Sequence, residues 1–145
     1  MKANGQAVLK FRFMTNLTSD QVHQIITLYQ EEGWWDADDD NDPELVSRIV
    51  SGSHCFLLAF EGEHIVGMGR AISDRVSDAY IQDVKVLLSH QGRGIGRTMI
   101  HMMAERLRAD GLRWIGLIAE KESYRFYEKL GFMVMPSSKP MLMKR

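Results

Sequence analysis

The chain has 145 residues, with 18 Lys and Arg against 19 Asp and Glu and a formal net charge of −1. Its length favours a single domain, and 45% hydrophobic with 26% charged residues excludes a disordered or collagen-like chain. The balanced charge argues against nucleic acid as a partner, because such binders usually carry a basic surplus. No apolar run approaches the ~18–20 residues of a membrane helix. Without a secretory signal at the N-terminus, a cytoplasmic location with no membrane partner is expected.

The first part of the chain predicts one strand followed by two helices. Residues 8–13 read as a strand. Residues 18–21 form a capping box, a hydroxyl followed three residues later by Gln, and apolar residues at helical spacing then predict a helix over 19–31. A second helix over 43–50 is predicted from Asp42 as an N-cap and a proline at the first helical position.

The rest of the chain predicts strands and helices that alternate after a strand hairpin. The predicted strands are 54–60, 65–72, 80–88, 114–119, 132–135 and 141–144, and the predicted helices are 98–109 and 123–130. A strand–helix–strand crossover makes strands 80–88 and 114–119 parallel, whereas the hairpin strands before them are antiparallel. The sequence therefore predicts one α/β domain over 1–145, with helices on both faces of a mixed, mostly antiparallel sheet.

A glycine-rich loop, Gln91-Gly92-Arg93-Gly94-Ile95-Gly96-Arg97-Thr98, lies between a predicted strand and a helix. Its uncovered amides and the helix N-terminus favour an anion such as phosphate, and Arg93 and Arg97 would add charge-assisted contacts. A Walker A loop needs a Lys after the glycines, and a dinucleotide fingerprint starting at Gly94 would end in Met99 instead of Gly. The glycines alone could also serve only a tight strand-to-helix turn.

A second motif lies downstream of this loop. Phe126-Tyr127-Glu128-Lys129-Leu130-Gly131-Phe132 reads F-Y-x-K-x-G-F, and the loop itself reads Q-x-x-G-x-G. Together with the strand at 81–86, these motifs resemble the cofactor motifs of the GNAT N-acetyltransferase superfamily. The resemblance covers roughly residues 54–135, which would form the cofactor core.

The resemblance implies the GNAT fold, with a sheet of six or seven strands, about four helices and a parallel, splayed central strand pair. It implies transfer of an acetyl group from acetyl-CoA, without a metal, directly to a primary amine of a small molecule or peptide in a ternary complex. Residues 91–98 would hold the pyrophosphate, and the backbone of Val84 and Val86 would hold the pantetheine arm and polarise the thioester carbonyl. Ser123 would lie near the cofactor, and Tyr127 would contact it and protonate the leaving thiolate as the general acid.

The acid and base assignments have competing interpretations. Phe126 and Leu130, four residues apart, are expected to form the buried stripe of the short helix, which leaves Tyr127 and Tyr124 on another side. Tyr124 is therefore a second candidate acid. Tyr127 could alternatively be a packing aromatic.

The general base has no single candidate. Some superfamily members carry a glutamate on the central strand where this chain has Tyr80. Asp83 is a candidate base or a structural acceptor, and strict alternation would put it on the face opposite Tyr80 and Val84. Other candidates are the glutamates at 31 and 32 and the acidic segment. Glu120 stands where many members carry an Asn that contacts the cofactor arm.

The segment between the first two helices combines Trp34 and Trp35 with five aspartates over 36–42. Charge and cation–π contacts could receive a polyamine, an aralkylamine or a lysine side chain there. The alternative is a solvated acidic loop. A calcium loop is excluded because Asn41 replaces the required Gly and Ser47 the final Glu.

The remaining expectations concern metals, partners and the rival class of function. The five histidines show no metal-ligand spacing, and the single cysteine excludes a disulfide within the chain. The late strands could pair between two copies, which would make a homodimer. The rival to an enzyme is a non-catalytic acyl-CoA-binding sensor, which would share the loop at 91–97 and differ at Tyr127.

Overall fold

The computed structural model describes residues 8–38 and 41–145. One five-stranded sheet has helices packed on both of its faces. The helices and strands, in chain order, are β1 (Leu9–Phe13), α1 (Ser19–Glu31), α2 (Pro43–Gly52), β2 (Cys55–Glu61), β3 (His64–Ser73), β4 (Asp78–Val86), α3 (Ile95–Ala109), β5 (Trp114–Leu117) and α4 (Tyr124–Glu128). Within the described ranges, no helix is long and apolar enough to cross a membrane.

The strands follow one another across the sheet in the order β1-β2-β3-β4-β5. The first four are antiparallel neighbours, and β4 pairs with β5 in parallel across α3. The predicted crossover is therefore confirmed. The predicted starts of the first two helices are also confirmed, since the Thr18 hydroxyl accepts the Gln21 N–H at 3.1 Å and Asp42 accepts the Glu44 N–H at 2.9 Å. The third helix, predicted over 98–109, begins earlier, at Ile95.

Each face of the sheet carries its own hydrophobic core. On one face, α1 and α2 pack through residues such as Ile25 and Val46 onto Phe56 and Leu58 of β2. On the other face, α3 packs onto alternate residues of the same strands, and Tyr127 packs against that second core. The alternation of β2 thus feeds two cores, and the faces are named below the α1 face and the α3 face.

The prediction of two late strands, over 132–135 and 141–144, is wrong. The described chain after α4 contains no strand, so the sheet has five strands instead of six or seven. The Phe132 N–H instead donates to the Tyr127 carbonyl at 3.1 Å, and Met133 and Met141 are exposed. Apolar alternation shows only that a segment could be a strand. Whether it becomes one depends on hydrogen bonding to a neighbouring edge.

A β-bulge in β4 decides which of its side chains meet which helix. Met68 pairs with Lys85 and Arg70 with Gln82, so Asp83 and Val84 both stand opposite a single residue, Gly69. Asp83 has a left-handed backbone with φ 56°. Gly69 leaves the room that α3 needs, because a Cβ there would lie 2.8 Å from Met103 Cε.

The bulge changes the facing of the second half of β4. Ile81 and Val84, three positions apart, both pack against the α3-face core, which strict alternation forbids. Asp83 and Lys85 consequently contact α1, through Tyr29 and Glu32. Asp83 therefore lies on the face opposite Val84, as expected. The expectation that it also lies opposite Tyr80 is wrong, because the bulge between them reverses the alternation.

An ionic link joins β2, β3 and the end of α3. His54 Nδ1 is hydrogen-bonded to the Ser73 hydroxyl at 2.7 Å, and His54 Nε2 is hydrogen-bonded to the Asp110 carboxylate at 2.8 Å. Arg106 Nε donates to the same carboxylate at 2.9 Å. The hydrogen bonds from His54 and Arg106 lower the pKa of Asp110. The role of His54 in this link is structural.

Candidate active site

The glycine-rich loop lies between the end of β4 and the start of α3. Gly92 and Gly94 have left-handed φ angles of 79° and 80°, which side chains with a Cβ rarely adopt. Ile95 is 2% exposed because its side chain points into the α3-face core. The turn therefore buries the Ile95 side chain in the core, while the backbone of the surrounding residues faces outwards.

The backbone amides of this loop are free. Within the part of the chain that the structure describes, no protein acceptor takes the N–H groups of residues 92–97. The last three of these belong to the first turn of α3, where N–H groups have no partner inside the helix. A cradle of free amides at the positive end of a helix is suited to an anion such as a pyrophosphate.

The side chains of the loop mostly hold its shape. The Gln91 amide donates to the Val86 carbonyl at 3.2 Å, and the Thr98 hydroxyl donates to the Gly94 carbonyl at 3.0 Å. Arg97 is exposed and makes no ion pair within the described residues.

Arg93, the other arginine of the loop, is engaged by a carboxylate. Its Nη2 donates to Glu61 at 3.1 Å, and His90 meets the other oxygen of Glu61 at 3.2 Å. The hydrogen bonds from His90 and Arg93 lower the pKa of Glu61. Of the two arginines, Arg97 is therefore the more available to an anion in this structure.

The parallel strand pair opens next to this cradle. β4 pairs with β5 only where residues 78–81 lie beside residues 114–117. From Gln82 to Val86, the edge of β4 that faces β5 has no strand partner. Val84 and Val86 turn their side chains to the α3-face core and leave this backbone edge open. The splay implied by the resemblance is thus present.

Tyr127 lies on α4 and packs against the same core cluster as Val84 and Val86. Phe126 is 39% exposed, whereas Tyr127 packs against the α3-face core, so the expected buried stripe is wrong in this respect. Burial, and then the charge of Glu120, raise the pKa of Tyr127. Its hydroxyl makes no hydrogen bond within the described residues. The phenol is therefore protonated at neutral pH and available as a donor.

The neighbours of Tyr127 have other engagements. Ser123 forms the start of α4, and its carbonyl accepts the Phe126 N–H at 3.0 Å. The Tyr124 hydroxyl accepts a hydrogen bond from Arg125 Nε at 3.3 Å.

Asp83 is held by two donors. The Tyr29 hydroxyl donates to Asp83 Oδ2 at 2.8 Å, and Arg70 Nε donates to the same oxygen at 2.7 Å. Burial and the charge of Asp83 raise the pKa of Tyr29, which therefore keeps its proton. Because Asp83 Oδ2 already accepts two hydrogen bonds, the geometry fits the structural-acceptor alternative.

Trp34 and Trp35 form part of the α1-face core. The Trp35 ring stacks on Tyr29 with centroids 4.1 Å apart and planes 9° apart, and Trp34 packs against Tyr29 at 6.0 Å. Both indoles are partly buried. Asp36 accepts the backbone N–H of Asp38 at 2.9 Å, while 39 and 40 of the predicted acidic segment lie outside the described residues.

An ionic cluster beside the Trp34–Trp35 turn was not assembled from the sequence. The Lys85 ammonium lies 3.0 Å from carboxylate oxygens of both Glu31 and Glu32, and Lys121 lies 3.2 Å from the other oxygen of Glu32. The sequence signal was a lone lysine between two valines of a predicted strand. In the described ranges, no group of three or more His, Cys, Asp or Glu side chains could hold a metal ion.

The fold is shared with solved structures that are described as acetyltransferases. The structure superposes with a TM-score of 0.77 on a "probable acetyltransferase", SA2161, from meticillin-resistant Staphylococcus aureus, over 95% of this chain and 100% of the other, at 21% identity. A sequence model described as "Acetyltransferase (GNAT) family" matches residues 19–132. The chain therefore belongs to the GNAT acetyltransferase family.

Curated relatives match about half of the chain. The "uncharacterized N-acetyltransferase ycf52" of Pyropia yezoensis is 40% identical over 72 residues, which are 50% of this chain and 41% of that relative. The "serotonin N-acetyltransferase 2, chloroplastic" of Oryza sativa subsp. japonica is 38% identical over 73 residues, 50% of this chain and 36% of that relative. The match thus spans less than half of each relative's length.

Proposed function

We propose that this chain is an acetyl-CoA-dependent N-acetyltransferase that moves an acetyl group directly to a primary amine of a small molecule or peptide. The observation that most supports this proposal is the cradle of free amides at residues 92–97, which follows the unpaired edge of β4 in the chain. The family supports acetyl transfer, and the names of the two relatives include N-acetylation. The whole reaction is proposed for one domain over 1–145.

The residues present fit acetyl-CoA. The amides of residues 92–97, with Arg97 beside them, would hold the negatively charged pyrophosphate. N–H groups on the open edge of β4, near Val84 and Val86, would hold the pantetheine arm and donate to the carbonyl oxygen. When bound, acetyl-CoA supplies the acetyl group as a thioester and a thiol as the leaving group.

Tyr127 serves as the general acid in this proposal. A free thiol has a pKa of about 8.5, so donation of a proton eases departure of the thiolate. The raised pKa of Tyr127 keeps its phenol protonated, and its hydroxyl has no competing hydrogen bond in the described chain. Ser123, at the start of α4, would lie near the same cofactor arm.

The acceptor amine must lose a proton before it attacks. An alkylamine with a pKa near 10.4 is mostly protonated at pH 7, which costs about 4.6 kcal/mol unless a base or the surroundings offset it. Asp83 is paired with Arg70, and Glu31, whose side chain is 30% exposed, is paired with Lys85. Both carboxylates stay candidates for accepting this proton through water, and each is held by a cation.

A thiol-release screen with acetyl-CoA tests the proposal. The acceptor panel contains polyamines, arylalkylamines, amino acids, aminoglycosides and peptide N-termini, and mass spectrometry identifies an added acetyl group on nitrogen. We expect release of free CoA with at least one class and none without an acceptor. The matched control is the same panel with Tyr127→Phe protein.

The same samples distinguish the alternative function. A melting temperature that rises with acetyl-CoA, but with no thiol released by any amine, would replace the enzyme with an acyl-CoA-binding sensor. Stabilisation by ATP with magnesium and none by CoA would contradict both assignments, because the cradle would then serve a nucleotide.

A further inference from the structure

Lys85 is an unusual residue to find inside the sheet. It is 4% exposed, and its cross-strand partner Met68 is completely buried. Burial alone lowers the pKa of Lys85, but the hydrogen bonds that Lys85 donates to Glu31 and Glu32 outweigh burial, and the pKa is raised. The ammonium is therefore charged, and two carboxylates compensate its burial.

This placement depends on the bulge at Asp83. Without the extra residue, Lys85 would share the face of Ile81 and point into the apolar α3-face core. The bulge turns it to the end of α1 instead. A hydrophobic side chain beside Met68 would often be as stable as a buried ion pair, so stability by itself is a weak explanation for the lysine.

The position of Lys85 joins two parts of the proposed site. Its neighbours Val84 and Val86 carry the open backbone edge of β4. Its partner Glu32 is followed, after one glycine, by Trp34 and Trp35. One buried ammonium therefore links the strand that would hold the thioester to the Trp34–Trp35 segment. This segment and the α1-face contacts around Asp83 and Lys85 are called the acceptor side below, because the acceptor amine would approach there.

The cluster also reaches a third element. Glu32 divides its carboxylate between buried Lys85 and exposed Lys121, which is 69% exposed. Lys121 directly follows Glu120, whose charge acts on Tyr127. The end of α1, β4 and the connection to α4 are thus tied together by four charged side chains, two of each sign.

We propose that Lys85 is a positioning residue for the acetyl transfer, which fixes the end of α1 and the Trp34–Trp35 turn against β4 so that acceptor binding depends on it. This inference rests on the proposed function. Lys85 acts through Glu31 and Glu32 and does not touch the reacting atoms. The amide cradle at 92–97 does not include it, so cofactor binding does not depend on it.

The test compares Lys85→Met, which nearly keeps the length but removes the charge, with Lys85→Arg, which keeps the charge on a longer side chain. Lys85→Met should raise the acceptor KM by about tenfold or more, since small displacements from productive geometry are costly. The KM for acetyl-CoA should stay at the wild-type value, and Lys85→Arg should recover most of the acceptor affinity. Amide hydrogen exchange of residues 30–35 in the free protein should accelerate in Lys85→Met.

Asp110→Asn is the matched control. It removes the negative charge from the ionic link with His54 and Arg106 at the C-terminal end of α3, whereas the amide cradle lies at the N-terminal end. It should lower the melting temperature and leave both KM values and the exchange of residues 30–35 unchanged. If Lys85→Met does not fold, Glu32→Gln carries the same measurements, because it removes one of the two negative charges at Lys85 and leaves the ammonium paired with Glu31.

The outcomes separate this inference from the proposed function. Equal rises in both KM values, or an unchanged acceptor KM in a folded Lys85→Met protein, would overturn the positioning role. Absence of thiol release from the wild type would instead overturn the proposed function. In that case the exchange data decide, because protection of residues 30–35 that is insensitive to Lys85→Met contradicts the anchoring itself.

Discussion

The two sides of the proposed site are built in different ways. The cofactor side is made of backbone from one continuous segment, residues 92–97, whose amides have no partner within the described chain. The acceptor side is made of side chains that meet across the fold, such as Tyr29 with Asp83, 54 residues apart, and Glu32 with Lys85, 53 residues apart. A backbone site tolerates changes of side chain, whereas a side-chain site changes its chemistry with one substitution. The cofactor side therefore suits a shared reactant and the acceptor side a variable one.

The largest effect is expected from Tyr127→Phe. Loss of a general acid typically lowers the rate by about 10²–10⁴-fold. Because the phenyl ring remains to pack against the α3-face core, the affinity for acetyl-CoA should change little. Steady-state turnover and calorimetric cofactor binding measure the two quantities. Unchanged turnover would remove Tyr127 from the acid role.

The pH profile of turnover sharpens the same assignment. Burial, and then the charge of Glu120, raise the pKa of Tyr127 above the usual value of a tyrosine, about 10. The phenol therefore stays protonated, and turnover should keep rising to about pH 10 as the acceptor amine loses its proton. An alkaline decline well below that pH, absent from Tyr127→Phe, would show that the pKa of this phenol is lowered.

Gly94→Ala tests the backbone side at a left-handed position. An alanine held at φ 80° is strained by about 1–2 kcal/mol, which corresponds to roughly a tenfold loss if it falls on cofactor binding. Gly111→Ala, at φ 91° beyond the end of α3, is the control. Both variants should lose stability, and only Gly94→Ala should bind acetyl-CoA more weakly. Equal binding by the two proteins would contradict the amide cradle.

Tyr29→Phe tests the side-chain side with a smaller change. It removes the hydrogen bond to Asp83 and leaves the ion pair with Arg70, so we expect about 1 kcal/mol less stability in denaturant unfolding. The acceptor KM should rise and the acetyl-CoA KM should not. Tyr124→Phe, which removes a hydroxyl from a contact near the surface, should change stability much less.

The smallest effect is expected from Lys121→Met. Its ion pair with Glu32 is exposed on the lysine side, and such pairs contribute between about 0 and 1 kcal/mol. Urea unfolding should therefore give nearly the wild-type free energy. A loss as large as that of Lys85→Met would show that the two lysines of the cluster carry equal weight.

Local sequence signals predicted most of the secondary structure. The capping box of α1, the Asp42 cap of α2 and the hydrophobic spacing of α3 depend on residues within one or two helical turns, and all three helices form. The late strands at 132–135 and 141–144 failed because a strand needs an edge to pair with, which apolar alternation does not identify.

On the acceptor side, the limit was the bulge. A single extra residue at Asp83 reverses the alternation of β4. Neither the residue type nor the spacing in the sequence predicts this bulge. Strict alternation was therefore the natural expectation for Asp83. The contacts of these two side chains with α1 followed only from the register of the strands.

The sequence by itself determined the family, the parallel strand unit and the loop at 91–98, because glycine spacing and helix starts are encoded by neighbouring residues. Only the tertiary structure decided that Asp83 is paired with Arg70, that Trp35 stacks on Tyr29 and that Lys85 joins two glutamates. These contacts join residues distant in the chain, and their geometry depends on strand register and on a bulge. That is why the sequence predicted the residues of the cofactor side but not the contacts of the acceptor side.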